Sequence, residues 1–116
     1  MQVLFHIIDI AVWAVAKQAG EYRPDRFEAE GFIHLSKKSQ VLRPANLLYQ
    51  GQENLQLLVI DPDKVTSAIV YEPGSHGEEE LFPHLYGPLN VDAVVGLVAF
   101  PCEPDGSFAL PDGLPD

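Results

Sequence analysis

The segment from Val3 to Gly20, VLFHIIDIAVWAVAKQAG, predicts a β-strand that passes directly into an α-helix. Val3 to Ile8 is rich in β-branched and aromatic residues, and Asp9 after it is a residue type that caps helix N-termini. The helix is predicted over Ile10 to Ala19, and Gly20 is suited to its C-terminal cap. The chain therefore begins with a strand–helix unit.

The remaining segments predict one more helix and a series of strands. Glu21 to Glu30 has no clear period and is predicted as an irregular connector. A second helix is predicted from a first turn near Lys38 to a last residue at Gln50. The predicted strands are Gly31 to Leu35, Leu55 to Ile60, Ala68 to Glu72, Leu81 to Tyr86 and Ala93 to Phe100. Helices near the start followed by strands indicate an α+β domain with a largely antiparallel sheet, in which the apolar run at Leu55 to Ile60 is the central strand.

The length of 116 residues fits a single domain. We assign residues 1–100 to that domain and residues 101–116 to a tail rich in Pro, Gly and Asp, expected at the surface with one return at Phe108 to Leu110. No apolar run approaches membrane-spanning length, and residues 1–10 lack the basic flank and cleavage site of a signal peptide, so we predict a cytoplasmic protein without a membrane partner. Cys102 is the single cysteine, which excludes an internal disulfide and a thiolate metal cluster.

The net charge of -10 is unevenly distributed along the chain. Residues 1–43 contain six basic and five acidic residues, whereas residues 44–116 contain one basic residue, Lys64, and 12 acidic residues. Because phosphates are held mainly by Lys and Arg, the acidic balance argues against a nucleic-acid partner. A phosphorylated small molecule is expected to place its phosphates beside the segment from Arg23 to Arg43.

Three histidines in apolar stretches point to a single polar pocket. The stretches are Phe5-His6-Ile7-Ile8, Gly31-Phe32-Ile33-His34-Leu35-Ser36 and Phe82-Pro83-His84-Leu85-Tyr86-Gly87-Pro88. A strand alternates its faces, so an imidazole between large apolar residues points away from the core that they fill. One alternative is that each histidine is a hydrogen-bonded structural residue. Another is a divalent-metal site made of His6, His34 and His84 with Glu72 or Glu80, but the spacing resembles no short ligand motif, and we predict no bound metal.

The last two stretches resemble a family of short, mostly bacterial proteins catalogued as a domain of unknown function. The resemblance is carried by Glu30-Gly31-Phe32-Ile33-His34-Leu35-Ser36 and Phe82-Pro83-His84-Leu85-Tyr86-Gly87-Pro88-Leu89, and it extends to about Phe100. It implies a fold like that of the ADP-ribosyltransferases and the RNA 2'-phosphotransferases, a split antiparallel β-barrel that binds NAD in a cleft. The implied ligand is NAD, and the implied activity is ADP-ribosyl transfer or NAD glycohydrolysis.

The resemblance also implies roles for individual residues. In those transferases a histidine on the first strand contacts a ribose of NAD, and a tyrosine or histidine on a later strand packs on the nicotinamide. His6 and His34 resemble these two residues. The third position is usually a glutamate that polarises the ribose. The catalytic candidates are therefore His6, His34, Glu72, Glu80 and His84, and the candidates for NAD binding are His6, Tyr22, Arg23, His34, Ser36, Lys38 and Tyr86.

The acidic composition makes RNA a poor substrate, because RNA-backbone binding requires cations. One other function of the cleft remains open. A module that binds a nucleotide, another small molecule or a protein in the same cleft, without catalysis, is the alternative to an enzyme.

Overall fold

The computed structural model describes residues 2–116, which form three α-helices and eight strands connected by loops and short 3-10 turns. In chain order the elements are β1 (Leu4–Asp9), α1 (Ile10–Ala19), β2 (Glu21–Tyr22), α2 (Phe27–Glu30), β3 (Ile33–His34), α3 (Leu42–Leu48), β4 (Leu55–Ile60), β5 (Ala68–Pro73), β6 (Leu81–Tyr86), β7 (Leu89–Asn90) and β8 (Val94–Ala99). The predicted α+β class is confirmed. Among these residues, no helix combines the length and the apolar composition needed to cross a bilayer.

The strands form three antiparallel sheets. Their strand orders are β1-β4-β8, β2-β7 and β3-β6-β5. As predicted, β4 is a central strand, flanked by β1 and β8. The split barrel that the resemblance implies is not found in residues 2–116, because no continuous ladder of backbone hydrogen bonds connects the three sheets. Strand β3 has only two residues, and its connection to β1 is a single bridge between Phe5 and Ser36.

Helix α1 begins and ends where the sequence predicts. The Asp9 carboxylate accepts hydrogen bonds from the backbone N–H groups of Ala11, at 2.8 Å, and Val12, at 3.4 Å. Gly20 follows the helix with φ of 87°, a left-handed conformation that glycine adopts without steric cost. Trp13 is buried and anchors the helix on the sheet. These contacts fix the strand–helix unit that carries one wall of the site described below.

Removing the N-cap tests this local account. Asp9→Ala is expected to lower the free energy of unfolding by about 1 kcal/mol, because two N–H groups lose their acceptor. The measurement is urea denaturation, in which the slope of the unfolding free energy against urea concentration should stay unchanged. Asp9→Asn is the control, since its amide oxygen still accepts these bonds and its stability should stay close to the parent. Equal losses in both variants would mean that the cap contributes nothing.

The segment from Glu21 to Glu30 is more regular than its sequence predicts. It contains β2 and α2, and Tyr22 of β2 is buried and pairs with Leu89 of β7. Leu89 is distant from Tyr22 in the chain, so no local hydrophobic period predicts this strand. Helix α3 is shorter than predicted and ends at Leu48, with Pro44 tolerated in its first turn, where a backbone N–H has no intrahelical acceptor.

Two hydrophobic cores lie on the two faces of β1. Leu4 and Ile8 pack in one core with Trp13, whereas Phe5 and Ile7 pack in the other. This alternation is the one predicted for a strand covered on both sides. His6 therefore projects toward the same side as Leu4 and Ile8.

Most of the C-terminal segment is exposed, and the predicted return at Phe108 is accompanied by a second buried residue, Leu114, that the sequence does not predict. Phe108 and Leu114 are buried in the second core, and the N–H of Phe108 donates to the Asn46 side-chain oxygen at 2.7 Å. The backbone N–H of Val3 donates to the carbonyl of Asp116 at 2.9 Å. Apolar burial and these hydrogen bonds offset the low intrinsic order of a Pro/Gly-rich segment.

Candidate functional site

A cavity of about 260 Å³ lies between β1, β3, α3 and the loop after β5. His6, His34 and His84 all line it, so the fold brings the three predicted histidines together at one cavity. His76, from the loop after β5, joins them at the wall. Two of the sheets and the loop after β5 thus place histidines from distant parts of the chain around one space.

His6 is fully engaged with the protein. Its Nδ1–H donates to the His34 carbonyl at 2.7 Å, and its Nε2 accepts from the Tyr22 hydroxyl at 3.3 Å. A carbonyl can only accept, so the proton of the neutral ring must reside on Nδ1. Burial lowers the pKa of His6 to about 4, and the ring is therefore uncharged at neutral pH. No ring nitrogen is left for the ribose contact that the family resemblance implies, and His6 instead positions β3 and Tyr22.

The Tyr22 hydroxyl donates its hydrogen to His6 Nε2, so its oxygen is left to accept a hydrogen bond from a molecule in the cavity. Burial raises the pKa of Tyr22, so the hydroxyl stays protonated across the physiological range. The ring lies 5.4 Å from the His6 ring, centroid to centroid, and lines the cavity. The pair forms a neutral, hydrogen-bonded floor.

His84 is held by a carboxylate on the neighbouring strand. Its Nδ1–H donates to Glu72 Oε1 at 2.8 Å, and the Tyr86 hydroxyl donates to the same oxygen. The hydrogen bonds from Tyr86 and from His84 hold the pKa of Glu72 below its usual value, so this carboxylate is ionised. The His84 ring is stacked on Phe32 with centroids 4.0 Å apart, and only 3% of its side chain is exposed.

This arrangement leaves Nε2 of His84 as the nitrogen available to a ligand. Within residues 2–116 that atom has no hydrogen-bond partner. A carboxylate on one imidazole nitrogen fixes the tautomer and the ring orientation, and it stabilises the charged ring after the other nitrogen has taken a proton. The Tyr86, Glu72 and His84 side chains therefore form the geometry of a general base.

His34 stands next to His84 on the paired strand. The register of β3 and β6 places the two residues opposite each other, and their ring centroids are 5.4 Å apart. His34 Nε2–H donates to Glu30 Oε2 at 3.1 Å, and 40% of the His34 side chain is exposed. Its Nδ1 has no partner within residues 2–116. Of the three predicted histidines, His34 is therefore the one most open to a bound molecule.

The other predicted site residues divide into two groups. Ser36 and Tyr22 line the cavity, whereas Glu72 and Tyr86 stand behind His84. Glu80 lies apart, where its carboxylate accepts a hydrogen bond from Gln40 Nε2 at 2.8 Å. Glu72 is thus the predicted glutamate that the fold joins to a histidine.

The two predicted phosphate-binding cations lie outside the cavity lining. Arg23 Nε donates to the Glu21 carboxylate at 3.2 Å on an exposed surface. Lys38 Nζ donates to the carbonyl of Leu114 at 2.8 Å and pairs with the Asp116 carboxylate. The prediction that Arg23 and Lys38 belong to the cavity wall was wrong, because both side chains are directed to partners elsewhere on the surface.

Several residues of the cavity wall were missed from the sequence, including three that bear polar groups. Arg26 is the one Lys or Arg in the lining, and Glu30 and Tyr49 accompany it. Burial raises the pKa of Tyr49, so this hydroxyl also remains neutral. The four-residue spacing from Glu30 to His34 could have predicted that these two side chains meet. No local feature of the sequence distinguishes Arg26 from Arg23.

The loop after β5 forms the remaining wall. Gly74, Ser75, His76 and Glu78 line the cavity. Arg43 of α3 donates from Nε to the Glu78 carboxylate at 2.7 Å and so bridges the loop to the helix. The cavity is thereby bounded by an ion pair on this side.

The metal alternative finds no geometric support in the described part of the chain. Within residues 2–116, no group of three or more His, Cys, Asp or Glu side chains is arranged to hold a metal ion. Both nitrogens of His6 are engaged, and a nitrogen that donates a proton cannot ligate.

Comparisons with known proteins place the chain among uncharacterised relatives. A family model described as "Protein of unknown function (DUF952)" matches residues 7–97. The crystal structure of protein CC0527 from Caulobacter crescentus is similar over 92% of this chain and 93% of that chain, with 30% identity and a TM-score of 0.82. The solution NMR structure of CC0527 is similar over 98% and 97%, with 33% identity and a TM-score of 0.77. None of the curated proteins matches.

Proposed function

The chain belongs to the family described as "Protein of unknown function (DUF952)", and we propose that its cavity binds NAD or a related nucleotide by the nicotinamide–ribose end and catalyses transfer or hydrolysis there. The observation that carries this proposal is the pairing of His34 and His84 in one cavity, with His84 oriented by Glu72. The choice of ligand is supported by the resemblance described above, which implies a fold like that of the NAD-binding ADP-ribosyltransferases.

The proposed reaction assigns the proton to His84. Water, or an acceptor hydroxyl, forms a bond from its oxygen to the ribose C1′ atom. The bond from C1′ to the nicotinamide nitrogen breaks, and its electron pair leaves with nicotinamide. His84 Nε2 takes the proton from the attacking oxygen, and the ionised Glu72 stabilises the imidazolium that results.

Other residues hold the ligand in this proposal. His34 contacts the nicotinamide or its ribose from the exposed side of the cavity, and the Tyr22 oxygen accepts a hydrogen bond from the carboxamide or from a sugar hydroxyl. His6 acts through Tyr22 and the His34 backbone and is a positioning residue. Orientation of this kind accounts for a large part of an enzyme's rate enhancement.

His34→Ala tests the binding role. We expect about a tenfold or larger loss of NAD affinity by calorimetry, because the open imidazole no longer contacts the ligand. The thermal midpoint should change little, since 40% of the side chain is exposed and the His34 carbonyl, which His6 needs, is retained.

Lys38→Gln is the control for that experiment. Lys38 lies outside the cavity lining, so this variant should bind NAD as the parent does. No saturable binding to the parent protein would contradict the proposal. A His34→Ala protein that is strongly destabilised but binds normally would instead make His34 a structural residue.

Binding without catalysis is the second candidate function. It is favoured by one observation: neither Glu72 nor Glu80 lines the cavity, so neither occupies the place where the transferases present a glutamate to the ribose. Incubation with NAD followed by quantification of free nicotinamide separates the two functions. Saturable binding with no nicotinamide release would favour the binding module.

A further inference from the structure

Arg26 is the cation that the cavity offers to a ligand. It is the single Lys or Arg of the lining, it is exposed, and within residues 2–116 its guanidinium has no hydrogen-bond or ion-pair partner. The neighbouring Arg23 is paired with Glu21, and Arg43 is paired with Glu78. One guanidinium is therefore free to bind one anionic group, in the bidentate geometry that suits phosphate.

Acidic side chains line the same cavity as this one cation. Asp25, Glu30 and Glu78 are among them, and Glu78 is paired with Arg43. The negative charges of Asp25 and Glu30 disfavour a second phosphate at the wall, because like charges repel where water is partly excluded. A pyrophosphate would thus place one phosphate on Arg26 and leave the other beside carboxylates.

The volume of the cavity also argues against a dinucleotide. At about 260 Å³ it falls just below the range of about 300–1,000 Å³ that is usual for small-molecule sites. Such a space suits one ring and one sugar. The second nucleoside of a dinucleotide would lie outside it.

We propose that the site takes a mononucleotide rather than a dinucleotide, with its single phosphate bound by Arg26. This assignment rests on the proposed function and specifies its substrate class as a pyridine N-glycoside with one 5′-phosphate. The cationic pyridinium ring lies among the aromatic and carboxylate groups, and the phosphate lies at Arg26. Arg26 is then the residue that determines specificity.

Calorimetry with three ligands tests the assignment. Nicotinamide riboside has no phosphate, nicotinamide mononucleotide has one, and NAD has two with a second nucleoside. The parent protein is expected to bind the mononucleotide about tenfold more tightly than either of the others. In Arg26→Gln the affinity for the mononucleotide should fall to that for the riboside, while the affinity for the riboside stays unchanged.

Arg23→Gln is the matched control, since this arginine is three residues away and paired outside the cavity. It should keep the preference of the parent protein. The assignment is overturned if NAD binds as tightly as the mononucleotide, if Arg26→Gln weakens the riboside equally, or if the two arginine variants behave alike. Binding of the riboside and NAD with no advantage for the mononucleotide contradicts this assignment alone. Failure of all three ligands to bind the parent contradicts the proposed function and this assignment with it.

Discussion

His84→Gln is expected to lower the rate of nicotinamide release by about 10²- to 10⁴-fold, the usual contribution of a general base. Glutamine can still donate to Glu72 from its amide, but it cannot take a proton at neutral pH. Glu72→Gln should lower the rate by a smaller factor, because His84 remains while the charge that stabilises its protonated form is lost. The measurement is chromatographic quantification of nicotinamide, with NAD and nicotinamide mononucleotide as substrates.

Glu80→Gln is the control for these two variants. Glu80 is also a hydrogen-bonded glutamate near β6, but its partner is Gln40 and it lies outside the cavity lining. Its turnover should equal that of the parent. Because His84 is buried, the thermal midpoint of His84→Gln must be recorded beside the rate. Full turnover in a folded His84→Gln protein would rule out the proposed base.

Acidification from pH 6.5 to pH 4 is expected to lower the free energy of unfolding by about 3 kcal/mol through His6 alone. The pKa of His6 is 6.5 in the unfolded chain and about 4 in the folded protein, where burial opposes the charged ring. Between these values the unfolded chain binds a proton that the folded protein does not. Stability from this group is therefore lost as the pH falls, and it is constant above pH 6.5.

Urea denaturation at several pH values checks this expectation, with His6→Asn as the comparison. Asparagine can donate to the His34 carbonyl but does not titrate, so its stability should be lower at pH 7 and flatter between pH 6.5 and pH 4.5. Glu72, Glu78 and Asp105 also have lowered pKa values in the folded protein, through hydrogen bonds from Tyr86, Arg43 and Ser107. Their contributions are lost only as the pH falls below their unfolded-chain pKa values of 4.5, 4.5 and 3.8, so the slope between pH 6.5 and pH 4.5 reports on His6. An equal pH dependence in parent and variant would contradict the assignment to His6.

The parts of the fold that sequence predicts correctly are those with local signals. Asp9 and Gly20 cap α1 through contacts within a few residues, and the apolar run of β4 needs no knowledge of its partners. By contrast, β2 exists because Tyr22 pairs with Leu89, and the burial of Phe108 depends on Asn46. Such long-range pairs leave no period in the sequence.

The candidate site shows the same division. Strand alternation was sufficient to predict that His6 and His34 meet in one cavity. It could not assign their roles, because the engagement of His6 with Tyr22 and the His34 carbonyl is a matter of tertiary distances. Charge along the chain located a basic segment, but only the fold shows that Arg26 rather than Arg23 lines the cavity.

The central claim is that the histidine cavity binds the nicotinamide–ribose unit. Nitrogen-detected NMR of the imidazoles during titration with nicotinamide mononucleotide, and separately with NAD, tests it most directly. The ring signals of His34 and His84 should shift saturably, while those of His6 stay nearly fixed because both of its nitrogens are bonded within the protein. Saturable binding by calorimetry on the same sample, with the ring signals of His34 and His84 unchanged, would contradict the claim.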